Sequence, residues 1–290
     1  MSALGNRFMG QTLWMMGTFV DARLHLERTL DICAANQEKI TSYRRFGTDD
    51  QVRALSFLAS TFLLLGYPEE SAAAVEQALA RARARGLAFT TALALSHVAL
   101  LGTLGADSQG AAAHADEAIS HSIEHSLADY EQRARFIQGA LLAQSGDPQH
   151  GIELMLNAIA AVESNSARNF RTLYLGHLAS AHARLGQPTV ALDLLNEAIQ
   201  TAEVTSERFF EAELYRLRGE MLLTLGRRAE AEAGLRRALT IAQQQQARWW
   251  ELRARPASPS IGATRANTYR AIPSCNRFMG GSPRVSAQHL

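Results

Sequence analysis

Apolar residues recur along this chain at helical spacing, in runs that close on a glycine. The closing glycines are themselves periodic: Gly17, Gly66, Gly105, Gly146, Gly186 and Gly226, with successive spacings of 49, 39, 41, 40 and 40. Positions counted from each glycine keep their character from unit to unit. Seven residues before it stand Gly10, Ala59, Val98, Gly139, Ala179 and Gly219, nearly all small; five after it stand Ala22, Ser71, Gly110, Gly151, Ala191 and Ala231, all small. Nine after come Leu26, Val75, His114, Met155, Leu195 and Leu235, and thirteen after come Leu30, Leu79, Ala118, Ile159, Ile199 and Leu239. Registers held over six units mark an internal repeat of about 40 residues.

The stretch from Glu211 to Ala242, EAELYRLRGEMLLTLGRRAEAEAGLRRALTIA, shows what one unit is. Its spacing predicts two antiparallel helices, the first over roughly 209–225 and the second over roughly 229–243, joined at Gly226. A glycine there supplies the positive φ that a helix C-terminus needs. Pro68, Pro148 and Pro188 each follow such a glycine by two residues, and proline suits a first helical turn, where its missing N–H has no partner to lose. Gly219 stands inside the first helix, where glycine costs about 1 kcal/mol. That cost predicts a close approach by a neighbouring backbone. One hairpin cannot bury its own apolar face, so the units must stack. The expected fold is all-α: a right-handed α-solenoid of about six hairpins over residues 1–255. The polar stretch AANQEKITSYRRFGTDDQ, Ala34 to Gln51, reads as a loop insertion in the longer first gap.

The pattern small, two residues, large, turn, then alanine, three residues, large resembles the tetratricopeptide repeat (TPR). In the sixth unit it falls on Tyr215, Gly219, Leu222, Gly226, Ala231, Leu235 and Ala238. The period is longer than the roughly 34 residues of the standard repeat, and the standard last-turn proline is missing, so TPR-like is the fitting description. Three segments, LGNRFMGQTLWMMGTFVDARLHLERTL, FGTDDQVRALSFLASTFLLLGYPEES and SERFFEAELYRLRGEMLL, narrow the likeness. They resemble the C-terminal helical repeats of bacterial multidomain signalling proteins that carry a class III adenylate/guanylate cyclase or other sensor domain and a large predicted ATPase module. The resemblance covers nearly all of residues 4–254. It implies a sensing or scaffolding arm, with the chemistry in domains upstream.

The remaining composition limits that chemistry. Ala, Leu, Glu, Gln and Arg dominate up to Arg255, and the chain has a net charge of +1, which argues against general nucleic-acid attraction. Two distant cysteines, Cys33 and Cys275, give neither a disulfide framework nor a metal knuckle. With no signal-peptide pattern and no membrane-length apolar run, a cytoplasmic protein is expected. A phosphate-binding loop GxxxxGK[ST] does not occur, and Lys39 is the single lysine of the chain. No catalytic residues, no cofactor and no metal are expected. His121 and His125 share a helical face near His114 but lack a third firm ligand, and His182 stands in a large-residue register that predicts a core histidine. Arg81 and Arg85 in ARARARG favour a helix C-terminus by about 0.3–1 kcal/mol.

What the solenoid offers is its concave face, lined by the first helix of each hairpin. By register the outward positions there include Arg53, Arg133, Phe136, Glu213, Arg216 and Glu220, and they form the candidate contact surface for a protein or peptide partner. The expected function is a non-catalytic protein–protein interaction scaffold, a piece of a larger signalling ATPase or cyclase. Descent from such an enzyme, or service as the arm of a transcriptional regulator, are the alternatives, though no helix-turn-helix is legible.

A seventh unit begins at ARWWELRA, Ala247 to Ala254, one full period after ERFFEAEL, but no small residue and turn glycine follow in register. Pro256 and Pro259 break the helix. Residues 256–290 are expected to be a disordered, non-repeat tail. A functional basic tail is one reading of it; a frameshift is the preferred one, since Phe278 to Ser286 can be encoded so that a frame two bases on reads His-Gly-Trp-Phe-Thr-Glu-Gly-Phe, similar to the GWFTEGF ending of the resembled family.

Overall fold

The structure, a computed structural model, describes residues 1–35, 49–105, 108–163 and 169–255. The expected loop insertion falls mostly, and the expected tail from residue 256 wholly, outside the described residues. Thirteen helices occur among the described residues: α1 (Ala3–Met15), α2 (Phe19–Ala35), α3 (Asp50–Leu65), α4 (Pro68–Arg85), α5 (Ala88–Thr103), α6 (Ser108–Glu124), α7 (Ala128–Ser145), α8 (Pro148–Glu163), α9 (Arg171–Arg184), α10 (Pro188–Thr205), α11 (Glu211–Thr224), α12 (Arg228–Gln244) and α13 (Arg248–Ala254). They pair as six successive hairpins, α1 with α2 through α11 with α12, and α13 opens a seventh. The architecture is the TPR-like α-solenoid that the registers predict.

Each hairpin turn is built as its sequence dictates. The six periodic glycines all have positive φ. At Gly66, φ 88° and ψ 30°, the left-handed residue turns the chain so that its own N–H and that of Tyr67 reach the carbonyls of Leu63 and Phe62. Pro68, Pro148 and Pro188 each begin the second helix of their hairpin. The return turns, from one hairpin to the next, carry the same left-handed step at Gly86, Ser126, Ser206 and Gln246. No glycine marks the last three, so composition gave no sign of them.

The small residues are where paired helices cross. A Cβ added at Gly219 would come within 2.8 Å of Leu235 Cγ and 3.3 Å of the Ala231 carbonyl oxygen, the close approach that a mid-helix glycine implies. In the α7–α8 hairpin both crossing positions are glycine: a Cβ at Gly151 would lie 2.5 Å from the Gly139 carbonyl oxygen. In the α3–α4 hairpin, Ser71 turns the contact into a hydrogen bond from its hydroxyl to the Ala59 carbonyl, 2.7 Å.

Polar side chains also tie neighbouring units. The Glu207 carboxylate, ahead of α11, accepts from the backbone N–H groups of Phe170 and Thr172 at 2.9 Å each and from the Thr172 hydroxyl, and so caps the start of α9. Asp49 caps α3 through the N–H groups of Gln51 and Val52, and its carboxylate is held by Arg81 and Arg85, both at 3.0 Å. The two arginines therefore do more than face a helix dipole. They tie the end of α4 to the start of α3 within their own hairpin.

The solenoid winds tightly enough that its last units return to its first. The Met15 carbonyl accepts from the N–H groups of Arg208 and Phe209 at 2.7 and 3.1 Å. The Leu104 carbonyl accepts from the Trp249 indole at 2.9 Å, and the Trp250 indole donates to the Phe209 carbonyl at 3.2 Å. Trp14, buried, stacks on Phe209 with centroids 4.3 Å apart and meets Phe57 edge-on at 5.3 Å. Buried aromatic pairs of this kind add about 0.5–1.5 kcal/mol beyond their area.

Candidate functional site

The first helices of the hairpins, α1, α3, α5, α7, α9, α11 and α13, face one another across the interior of this winding, and two polar clusters stand there. At one end, Arg7 of α1 pairs with Asp50 of α3 at 2.6 Å, both buried. Beside them are Arg53 of α3, His97 of α5, and Tyr130 and Arg133 of α7. The Arg133 guanidinium lies 5.7 Å from the ring centres of both Tyr130 and Phe170. Burial lowers the pKa of Arg53, helped by the charges of Arg7 and Arg133 and opposed by Tyr130 and Asp50. Burial also lowers His97 to about 4, a bond to the Leu93 carbonyl opposing and Arg53 and Arg133 reinforcing. Because a carbonyl only accepts, that 3.0 Å bond places the His97 proton on Nδ1.

At the other end, Glu213 of α11 is gripped by Arg216 at 2.7 Å and by Arg253 of α13 at 2.6 Å. Burial alone would raise this carboxyl, but the two guanidiniums override it and hold it at about 2. Arg216 also reaches Glu220 one turn on. Aromatic rings join the two clusters: Phe136 packs on Tyr174 at 4.2 Å and on His177 at 6.2 Å, and His177 on Phe210 at 5.6 Å. Burial lowers His177 to about 4, with Glu213 opposing.

All six sequence-predicted contact residues are on these interior-facing helices, in two groups. Glu213, Arg216 and Glu220 form one hydrogen-bonded set. Arg53 and Arg133 belong to the other cluster, and Phe136 stands between. Their exposure differs from an open concave face. Phe136, Glu213 and Arg216 are buried, while Arg53, Arg133 and Glu220 are half-buried. Adjacent first helices are the cause: α13 packs against α11, where Arg253 covers Glu213, and Tyr174 of α9 packs on Phe136. Sequence reasoning missed Arg253, Tyr130, Tyr174 and His177. Arg253 was legible in principle, because it stands one full period after Glu213 in the same register.

The other histidines fall elsewhere. His182 is half-buried at the end of α9 and bonds Gln187 at 2.7 Å; the register that suggested a core position lies too near the helix terminus to be enclosed. His121, Glu124 and His125 come together at the C-terminal end of α6, with ligand atoms within 4.8 Å of one another, but the group is largely exposed and His121 Nε2 is engaged with the Ala88 carbonyl at 2.9 Å. His114 turns instead toward Glu117, 3.7 Å away. No described helix is long and apolar enough to cross a membrane.

The tetratricopeptide repeat family model matches residues 169–244, the span of α9 to α12. No curated protein sequence matches the chain. Among solved structures, the chain is similar to a Rap protein complexed with Competence and Sporulation Factor: 16% identity over 84% of this chain and 65% of that one, TM-score 0.64. A STAND (signal transduction ATPase with numerous domains) protein with a tetratricopeptide repeat sensor, from Pyrococcus horikoshii, aligns at 10% identity over 87% of this chain and 38% of that one, TM-score 0.49. The chain thus spans under two thirds of either protein. At 16% identity what is shared with the Rap protein is the fold, a TPR-like helical solenoid.

Proposed function

We propose that this chain is a non-catalytic protein–protein interaction scaffold that binds a peptide or an extended segment of a partner inside its winding. The observation that carries the reading is the interior surface itself. Arg53, Arg133, Tyr174 and Glu220 project there from four different hairpins, remain half-buried, and are not required to close any single hairpin. Rigid helices that converge charged and aromatic groups on one concavity suit an extended ligand, which meets one unit after another. The similar Rap protein structure holds a bound factor, which accords with this use of the fold.

Its parent context, on the sequence resemblance, is a larger signalling ATPase or cyclase, with this region as the regulatory arm acting in cis. The chain supplies no phosphate loop of its own. Two assays test the reading. A randomised hexapeptide pool is passed over the immobilised protein and the retained fraction identified by mass spectrometry; a defined subset of sequences should be held. Purified protein is then incubated with ATP and GTP, and no protein-dependent hydrolysis or cyclisation should be seen. Retention of no peptide, or turnover that is lost on changing a repeat residue, contradicts the proposal.

A further inference from the structure

Among the described residues one group of three side chains with metal-ligand chemistry comes together, His121, Glu124 and His125 at the C-terminal end of α6. By spacing alone the two histidines are a ligand short, and the backbone shows why Glu124 joins them. The His125 N–H still reaches the His121 carbonyl at 3.2 Å. Helical geometry therefore runs on through His125, and the residues three and four after His121 share its face. The two imidazole rings meet edge-on, 4.5 Å between centroids.

The 2.9 Å bond between His121 Nε2 and the Ala88 carbonyl prepares this group for an ion and does not block it. A carbonyl only accepts, so Nε2 carries the proton and Nδ1 keeps its lone pair. Metal-bound histidines are oriented by an outer N–H bond of this kind. Ala88 opens α5, 33 residues earlier, so the half-buried His121 is held in place from the other helix of its hairpin. The remaining two ligands are exposed, and among the described residues neither the Glu124 carboxylate nor the His125 ring makes a hydrogen bond or ion pair. The last carbonyls of α6, which Ser126 closes with φ 56°, add the negative end of a helix dipole, which attracts positive charge. Two imidazole nitrogens and one carboxylate oxygen suit zinc and its neighbours, whereas calcium and magnesium take oxygen ligands. Each donor must stand about 2.0–2.2 Å from the ion. The three ligand atoms lie within 4.8 Å of one another, so modest rotation of the exposed Glu124 and His125 side chains closes the set.

We propose that His121 through Nδ1, Glu124 and His125 bind one divalent ion of the zinc type, and that the ion pins the return turn at Ser126 to the α5–α6 hairpin. Three protein ligands leave a coordination position for water. The ion would stand on an outer helix, so its binding is independent of any peptide in the interior.

Metal-free protein is titrated with zinc chloride by isothermal calorimetry, as wild type and as the His125→Ala, Glu124→Gln and His114→Ala variants. Circular dichroism checks that each is folded. Wild type should take up an ion that His125→Ala and Glu124→Gln each bind at least about tenfold more weakly, no less than the loss of an outer-shell partner costs. His114→Ala, whose ring turns toward Glu117, should bind as wild type does. Zinc at about 100 times its Kd should raise the wild-type Tm by roughly 5–10 °C and leave that of His125→Ala unmoved. No uptake by wild type overturns the site. So does equal uptake by wild type and His125→Ala, the mark of an adventitious ion on other histidines, and so does a loss seen only in His114→Ala. A Glu124→Gln protein that binds as tightly as wild type overturns the three-ligand set. Uptake without a rise in Tm overturns the pinning of the turn.

Discussion

Replacing Gly151 by alanine tests the helix-crossing geometry most sharply, because two opposed effects of similar size meet there. Glycine in a helix costs up to about 1 kcal/mol relative to alanine, so propensity alone favours the substitution. The Cβ it adds, however, would stand 2.5 Å from the Gly139 carbonyl oxygen, 2.8 Å from Ala143 Cβ and 2.9 Å from Ala143 N. These are atoms of the facing helix α7, two of them backbone, and none can rotate away. The crossing must open by several tenths of an ångström along a hairpin whose interface is already close-packed. Overpacking of this kind costs about 1–3 kcal/mol; set against a helix gain of at most about 1 kcal/mol, it leaves a net loss of up to about 2 kcal/mol. For a domain of this size that lowers Tm by up to roughly 8 °C, followed by circular dichroism at 222 nm. Gly234→Ala is the control. Its added Cβ would meet nothing nearer than 3.6 Å, so propensity acts alone and Tm should rise. A Gly151→Ala protein that melts at or above wild type refutes the crossing as described.

Other changes have clear expected outcomes. Glu213→Gln leaves the Arg216 and Arg253 charges without their buried counter-ion, and urea titration should show a loss of about 3–5 kcal/mol. Glu213 has a folded pKa of about 2 against an ordinary 4.5; its contribution is therefore full above pH 4.5 and lost as pH falls toward 2, and the Gln variant should lack that acid limb. His97 and His177 fall from 6.5 to about 4 on folding, so the unfolded chain binds more protons between those values. Stability should decline from pH 6.5 down to 4, and a His97→Gln/His177→Gln variant should flatten that slope in melts across the range. Gln246→Gly relieves a left-handed residue, φ 53°, whose side chain is exposed, and should raise Tm by an amount corresponding to at most about 1 kcal/mol.

Periodicity made the hairpins legible because each rests on contacts within one unit. The turn glycines, the prolines at Pro68, Pro148 and Pro188, and the small pair Gly219–Ala231 all follow from backbone geometry at short range. The return turns were not legible, since Ser126, Ser206 and Gln246 adopt positive φ without the glycine that would announce it. Nor was the burial of Phe136, or the bond from Trp249 to the Leu104 carbonyl across 145 residues. These depend on the rotation from each repeat to the next, which accumulates over the solenoid and leaves no signature in any single unit. The interior residues could be identified by register as facing inward. How tightly they are enclosed could not.

A peptide partner should bind the interior surface and not the outer helices. Photo-crosslinking addresses it directly. A benzophenone amino acid replaces Tyr174, half-buried on the interior-facing α9, or Ile123, 54% exposed on the second helix of its hairpin. Each protein is irradiated with the hexapeptide pool and the adducts are mapped by mass spectrometry. Adducts at position 174, absent at position 123 and suppressed by Arg53→Gln/Arg133→Gln, are the predicted result. Adducts at position 123 alone, or equally at both positions, contradict it.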